Sequence, residues 1–236
     1  LDLHQSALAR LSEQIRNCLL VHQQPERIPA RQGWLDGTKV WREPVLHDDR
    51  VFLRNDEESR PGFAVDLMLD ASASRLHCQE AIAIQGYILA KSLASCGIPV
   101  RVTSFCSLRG YTVLRILKDF GDKNGERNVF NYFAAGWNRD GLALRGAGEL
   151  IKSAPAEKHL LILLTDASPD DSHKILPSGK IPLSRDYDGQ AGVDDTAEEV
   201  RALRAQGIRV AAVFMGENAS VPAANAIYGR DLARIR

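Results

Sequence analysis

The segment FAVDLMLD, residues 63–70, decides the fold, and the segment ASAS, residues 71–74, follows it directly. A short apolar run of this kind is typical of a strand buried on both faces, as in the middle of a parallel sheet. In open α/β sheets, ligands bind beyond the carboxyl ends of such strands. The residues that end this run are therefore the first candidates for a functional site.

Strand and helix patterns alternate from Phe63 onward. We expect a helix at LHCQEAIAIQGYILAKSLASC, strands at IPVRVTSFC and GYTVLRILKDF, a helix over residues 139–153 and a buried strand at KHLLILLTD. The next helix, DDTAEEVRALRAQ, is predicted to be opened by Asp194 or Asp195 and ended by Gly207. IRVAAVFMG and DLARIR predict the last two strands. This alternation favours an α/β fold, a Rossmann-like, doubly wound, mostly parallel sheet with helices on both faces.

The residues before this series predict a small appendage. Residues 1–22 carry apolar side chains at spacings near three, four and seven, which predicts an amphipathic helix. Within residues 25–60, the pair Asp36-Gly37 lies between short apolar segments and predicts the turn of a hairpin. We therefore expect an N-terminal helix and hairpin extension over residues 1–60 and the main domain over residues 61–236.

The composition excludes several classes of function. Lysine plus arginine equals aspartate plus glutamate at 30 each, so we expect no nucleic acid partner. The four cysteines are too far apart for metal clips, and we expect reduced thiols. No stretch reaches the roughly 18 apolar residues of a membrane helix and no targeting segment is recognisable, so we expect no membrane insertion and a cytoplasmic protein. A start in a helical pattern without methionine indicates a fragment of a longer protein.

Two predicted strands end in an aspartate, and hydroxyls follow the first of them. FAVDLMLD ends in Asp70, LLILLTD ends in Asp166, and Ser72 and Ser74 follow Asp70 at alternate positions. If the two strands are neighbours, all four side chains lie at one edge of the sheet. Carboxylate and hydroxyl oxygens suit a hard cation such as Mg²⁺. The alternative is a strand end followed by a helix cap, with Ser74 as the capping residue.

With these elements the chain resembles the von Willebrand factor A (vWA) family, whose metal-ion-dependent adhesion site (MIDAS) combines DxSxS, a threonine on a second loop and a later aspartate. The second loop of the family is similar to residues 136–144, GWNRDGLAL, in which Asn138 replaces the threonine. The later LLTDASPDD is similar to the family segment that carries the metal carboxylate, here Asp166. The resemblance implies Asp70, Ser72, Ser74 and Asp166 as metal ligands, with Asn138 or Asp140 completing the site.

Residues 187–196 resemble a bacterial subgroup of the family. Tyr187-Asp188-Gly189, Gly192 and Asp195-Thr196 are similar to the long loop and helix start of proteins of the nitric oxide reductase activation (NorD) and cobaltochelatase CobT types. This resemblance implies the C-terminal part of a larger bacterial protein that acts with a MoxR-like AAA+ ATPase. The implied process is maturation of a client enzyme or insertion of metal into it.

The function expected on these grounds is metal-dependent protein binding, without catalysis. A bound Mg²⁺, or Mn²⁺ or Ca²⁺, would accept an acidic residue of a protein partner as its last ligand. One alternative is a Mg²⁺-dependent phosphohydrolase of the haloacid dehalogenase-like type, although Ser72 occupies the place of the second acid of its DxD motif. The other alternative is a vWA scaffold that has lost metal binding through Asn138.

Overall fold

The structure, a computed structural model, describes residues 13–14, 27–47, 49–55, 62–177 and 183–234. The helix predicted over residues 1–22 lies outside these residues, apart from 13 and 14, so it stays a prediction. Within the described ranges, no helix combines the length and the apolar character needed to cross a bilayer.

Residues 27–55 form a small antiparallel sheet. Its strands are β1 (Arg27–Ala30), β2 (Trp34–Leu35) and β3 (Phe52–Asn55), in the order β1-β3-β2. Gly37 lies in a turn after β2, and the chain then forms the short helix α1 (Arg42–Leu46) before it returns as β3. The predicted turn thus leads into a helix instead of directly into a second strand. The division of the chain at residue 60 stays a prediction.

The strands of the main sheet, within the described part of the chain, are β4 (Phe63–Asp70), β5 (Val100–Leu108), β6 (Tyr111–Lys118), β7 (Lys158–Thr165), β10 (Arg209–Phe214) and β11 (Leu232–Arg234). They lie in the order β11-β10-β7-β4-β5-β6. Every neighbouring pair is parallel except β5 and β6, which form an antiparallel hairpin. A separate two-stranded sheet consists of β8 (Asp171–Ile175) and β9 (Arg185–Tyr187).

Helices cover both faces of the main sheet, which confirms the predicted doubly wound α/β fold. On β4, Met68 packs in one apolar cluster with Leu144 and Val200, whereas Leu69 packs in the other with Ile82. Alternate residues of a strand point to opposite faces, so each face of β4 meets its own layer of helices. The helices are α2 (Gln79–Ser95), α3 (Asp140–Ile151), α4 (Gly189–Ala205) and α5 (Val221–Tyr228).

The start of α4 differs from the prediction. The helix begins at Gly189 with Asp188 at its N-cap, so Asp194 and Asp195 lie inside it instead of opening it. The first turns carry little apolar periodicity, and Gly192 passes so close to the carbonyl of Pro169 that a Cβ there would collide with it. At the other end α4 stops at Ala205, just before Gly207.

Candidate metal-binding site

Asp70 and Asp166 meet at the carboxyl edge of the main sheet. Their strands, β4 and β7, are parallel neighbours with Leu69 paired to Leu164, so the residue that ends β4 and the residue that follows β7 lie side by side. The expectation that these two strands are neighbours is confirmed. Asp70 is fully buried and Asp166 is 4% exposed.

The loop after β4 directs its hydroxyls toward Asp166. The backbone N–H of Ser72 donates to Asp70 Oδ1 at 2.9 Å, which curls the loop over the strand end. The hydroxyls of Ser72 and Ser74 are 2.9 Å apart, and Ser74 Oγ donates to Asp166 Oδ2 at 3.1 Å. Neither of the helices that follow has a side-chain cap from these serines. The hydroxyls therefore face the carboxylates, which disfavours the helix-cap alternative.

Backbone hydrogen bonds connect three loops around this point. The N–H of Ala73 donates to the carbonyl of Gly136, which links the loop after β4 to the loop before α3. Asn138 and Asp170 exchange two backbone hydrogen bonds, which links the loop before α3 to the loop after β7. Gly136 has a φ of +75°, and a Cβ there would collide with the carbonyl of Ser107. Only glycine fits this position without strain.

Asn138 uses its side chain to join loops. Its amide nitrogen donates to Asp140 Oδ1 and to the carbonyl of Ser168, both at 3.1 Å. Its amide oxygen accepts the backbone N–H of Asp170 at 3.3 Å. Because the amide nitrogen faces two acceptors and the amide oxygen faces a donor, the orientation of the amide is determined. The oxygen that could ligate a cation is therefore engaged with Asp170.

Asp140 lies at the start of α3 and is fully buried. Its Oδ1 accepts from Asn138, whereas its Oδ2 has no hydrogen-bond partner. Asp70 shows the same pattern, because its Oδ1 accepts from Ser72 and its Oδ2 is buried without a partner. Buried polar atoms normally have a partner, so two unpaired carboxylate oxygens at one place indicate a missing positive or hydrogen-donating group.

Burial and the neighbouring carboxylates raise the proton affinity of Asp70 and Asp140. Burial, followed by the negative charge of Asp166, raises the pKa of Asp70 from the usual 3.8 to about 7. Burial raises the pKa of Asp140 well above its usual value, and the charges of Asp70 and Asp166 add to this effect. Each shift measures how unfavourable the ionised form is at this position. The cluster thus holds more negative charge than the surrounding protein stabilises.

Two residues at the site were missed from the sequence. Arg75 follows the DxSxS motif directly, and its guanidinium pairs with Asp166 Oδ2 at 2.6 Å. Tyr132, on the loop before α3, donates its hydroxyl to the carbonyl of Asp70. The position of Arg75 beside Ser74 was a signal available in the sequence. Nothing in the local pattern around Tyr132 predicts its contact.

The donor set fits a hard cation only if serine hydroxyls take part. Counting His, Cys, Asp and Glu alone, no group of three or more that could hold a metal occurs among the described residues. The hydroxyls of Ser72 and Ser74 and the unpaired oxygens of Asp70 and Asp140 provide oxygen donors of the kind that Mg²⁺ and Ca²⁺ prefer. On these observations the residues present fit a divalent cation.

Solved structures share this fold. The chain superposes on the PilB minor pilin of Streptococcus sanguinis with a TM-score of 0.54 and 16% identity, covering 78% of this chain and 59% of the pilin. It superposes on the manganese-loaded TRAP protein of Plasmodium vivax with a TM-score of 0.53 and 17% identity, covering 75% of this chain and 69% of TRAP. At this level of identity the likeness concerns the fold alone.

No family model matches the chain, but curated proteins are similar to it in sequence. Protein NorD of Brucella abortus is 28% identical over 184 residues, which cover 73% of this chain and 27% of NorD. Protein NorD of Stutzerimonas stutzeri is 29% identical over 214 residues, which cover 85% of this chain and 33% of that protein. The likeness in sequence and the shared fold support a von Willebrand factor A domain protein of the NorD type. The chain spans about a third or less of the length of those NorD relatives.

Proposed function

We propose that this vWA domain binds a divalent cation, Mg²⁺ or alternatively Mn²⁺ or Ca²⁺, and uses it to bind an acidic side chain of a protein partner. The observation that supports this proposal most directly is the pair of unpaired buried oxygens, Asp70 Oδ2 and Asp140 Oδ2, in a cluster of three carboxylates. Buried carboxylates are stable together only when a proton or a cation compensates their charge.

The residues proposed to hold the ion are Asp70, Ser72, Ser74 and Asp166, with Asp140 as the further donor. Between the two residues that the sequence left open, Asp140 is favoured because the amide oxygen of Asn138 is engaged with the backbone of Asp170. Asn138 then acts as a positioning residue that holds Asp140 Oδ1.

The exposure of Ser74 indicates where a partner would approach. Ser74 is exposed, whereas Asp70, Asp140 and Asp166 are buried beneath it. An ion held by these residues would supply positive charge at this place, and a carboxylate from a partner is the kind of ligand that would match it. Binding of the partner would then depend on the ion.

The same geometry supports the proposal of a non-catalytic role. In the haloacid dehalogenase-like alternative a second acid stands two residues after the first, and here that residue is Ser72, whose hydroxyl contacts Ser74. A serine hydroxyl cannot replace a carboxylate as general acid and base. We expect no hydrolysis of p-nitrophenyl phosphate in Mg²⁺, and turnover that Asp70→Ala abolishes would favour the phosphohydrolase instead.

The wider role is proposed from the NorD likeness. We propose that the domain is the C-terminal part of a larger cytoplasmic bacterial protein that acts with a MoxR-like AAA+ ATPase in maturing a client enzyme or inserting its metal. Support comes from the NorD relatives, which are several times longer than the matched region. Co-elution with such an ATPase in Mg²⁺, lost in EDTA and in Asp70→Ala, is the expected result. Co-elution that is unchanged in EDTA would contradict the ion-dependent part of this role.

Calorimetric titration with Mg²⁺ and with Mn²⁺ tests the proposal directly. We expect saturable heats for the wild type and none for Asp70→Ala. Asp231→Ala is the matched control, because Asp231 is an exposed aspartate that pairs with Arg204 outside the cluster. Equal and negligible heats for the wild type and Asp70→Ala would contradict metal binding and favour the scaffold that has lost it.

A further inference from the structure

Arg75 places a positive charge inside the proposed ion site. Its side chain is 8% exposed, and Nη2 lies 2.6 Å from Asp166 Oδ2. Its Nε lies 3.4 Å from Ser74 Oγ, which itself donates to the same Asp166 oxygen. The guanidinium therefore contacts two of the proposed ion ligands, Asp166 and Ser74.

The backbone behind Arg75 holds the guanidinium in this place. Its Nη1 donates to the carbonyl of Met215 at 3.0 Å, and its backbone N–H donates to the carbonyl of Ser72 at 2.9 Å. Met215 is itself bound to the carbonyl of Thr165, the residue before Asp166. Because Arg75 is buried and is held by hydrogen bonds at its backbone and at its guanidinium, its contact with Asp166 is a fixed part of the site.

Arg75 and an ion would compete for the same oxygen. Oδ1 of Asp166 accepts the backbone N–H of Ser168, whereas Oδ2 faces Ser74, another proposed ligand, so an ion held by both residues would contact Oδ2. An arginine stays charged at every accessible pH and forms strong charge-assisted hydrogen bonds with carboxylates. A divalent ion and a guanidinium at one carboxylate oxygen would repel each other at short range, so one must leave.

We propose that Arg75 is a built-in competitor of the divalent ion, which neutralises Asp166 in the ion-free domain and must release it when the ion binds. Resting on the proposed function, this inference names the residue that sets the ion affinity of the same site. Two consequences follow. The domain keeps a compensated Asp166 without metal, and its affinity for Mg²⁺ is weaker than the oxygen donors alone would provide.

Titration of arginine variants with Mg²⁺ and Mn²⁺ tests the competition. We expect Arg75→Gln to bind each ion about tenfold more tightly than the wild type, which corresponds to about 1.4 kcal/mol. The ion affinity of Arg75→Lys should lie between those of Arg75→Gln and the wild type, because an ammonium keeps the charge but lacks the planar fork of the guanidinium. Arg145→Gln is the matched control, since Arg145 pairs with Glu199 and contacts none of the proposed ligands. Its affinity should equal that of the wild type.

The outcomes separate this inference from the proposed function. Equal affinities for the wild type and Arg75→Gln, with binding lost in Asp70→Ala, would contradict the competition by Arg75 but support the proposed ion site. Absence of binding in every variant would overturn both. Binding by Arg75→Gln but not by the wild type would support the competitor and contradict an ion-dependent function of the wild type.

Thermal unfolding in EDTA and in Mg²⁺ provides a second readout that does not depend on a partner. We expect Arg75→Gln to unfold at a lower temperature than the wild type in EDTA, because the three carboxylates of the cluster then lack the positive charge of the guanidinium. Mg²⁺ should raise its unfolding temperature by more than it raises that of the wild type. Equal increments in the two proteins would contradict the competition, and a variant that folds only in Mg²⁺ would support it.

Discussion

Two buried arginine–aspartate pairs lie on this sheet, and they differ in how their charges balance. Asp66 and Arg101 are register partners on β4 and β5, with Arg101 Nε 2.6 Å from Asp66 Oδ1. Arg101 also donates to Ser153, stacks on Phe120 and lies 4.0 Å from the exposed Asp119. Asp66 Oδ2 and Arg101 Nη2 are buried without a hydrogen-bond partner, but the one buried carboxylate faces one guanidinium, so the two buried charges cancel without a further ion.

At the carboxyl edge of the sheet the same chemistry is not balanced. Arg75 pairs with Asp166 at the same 2.6 Å, but Asp70 and Asp140 lie in the same cluster and each keeps an unpaired oxygen. One guanidinium therefore faces three carboxylates. The contrast indicates that a buried ion pair by itself does not mark a functional site, whereas an excess of buried charge of one sign does.

Breaking the balanced pair should have the largest effect. Arg101→Met leaves Asp66 buried without its cation, and we expect a loss of about 3–5 kcal/mol in the free energy of unfolding. Urea unfolding followed by circular dichroism measures it. The control is the double variant Asp66→Leu/Arg101→Met, which removes both charges and should lie much closer to the wild type. Equal losses in the two variants would show that packing, and not charge, determines the effect.

Ion binding should stabilise only through the unbalanced cluster. At a free Mg²⁺ concentration of 100 times Kd, we expect the wild type to gain about 2.7 kcal/mol in the free energy of unfolding. Asp70→Ala should gain nothing, whereas Asp66→Asn, on the same strand, should keep the full increment. Urea unfolding with and without Mg²⁺ is the measurement. An increment that survives in Asp70→Ala would place the ion elsewhere.

The ion-free domain should lose stability as pH rises. Asp70 keeps its proton to about pH 7 in the folded state but releases it near 3.8 when unfolded. Its contribution is therefore fully present below the unfolded pKa and is lost as pH rises through the folded pKa, with a slope of at most about 1.4 kcal/mol per pH unit. Thermal unfolding in EDTA between these two pH values tests this. Asp70→Asn should flatten the slope, and an unchanged slope would contradict the assignment.

The smallest effect is expected at Asn138. The amide nitrogen of Asn138 holds Asp140, and its amide oxygen does not face the cluster. Asn138→Thr should therefore change the Mg²⁺ affinity by less than about threefold, or about 0.6 kcal/mol. Asp140→Ala should weaken it by about tenfold or more. Calorimetric titration of both variants measures the difference. A stronger effect at Asn138 than at Asp140 would reverse their proposed roles.

Much of the fold could be predicted because its signals are local. The apolar runs around Leu67 and Leu163 predicted buried strands, and the alternation of strands with helices predicted the doubly wound sheet. The start of α4 was predicted wrongly, because the acidic residues near Asp194 are typical of a helix start, whereas the helix already begins at Gly189 and passes Pro169 at Gly192, where only glycine fits. Tertiary contacts overrode the local signal there.

By itself, the sequence determined which oxygens end the strands: Asp70, Ser72, Ser74 and Asp166 follow apolar runs whose period and length depend only on neighbouring residues. Only the tertiary structure decided how they are used. The pairing of β4 with β7 places Asp70 beside Asp166, the loop hydrogen bonds turn the amide of Asn138 toward Asp140, and Arg75 reaches Asp166 across two loops. Charge balance in a buried cluster depends on distances between residues far apart in the chain, and no local pattern encodes those distances.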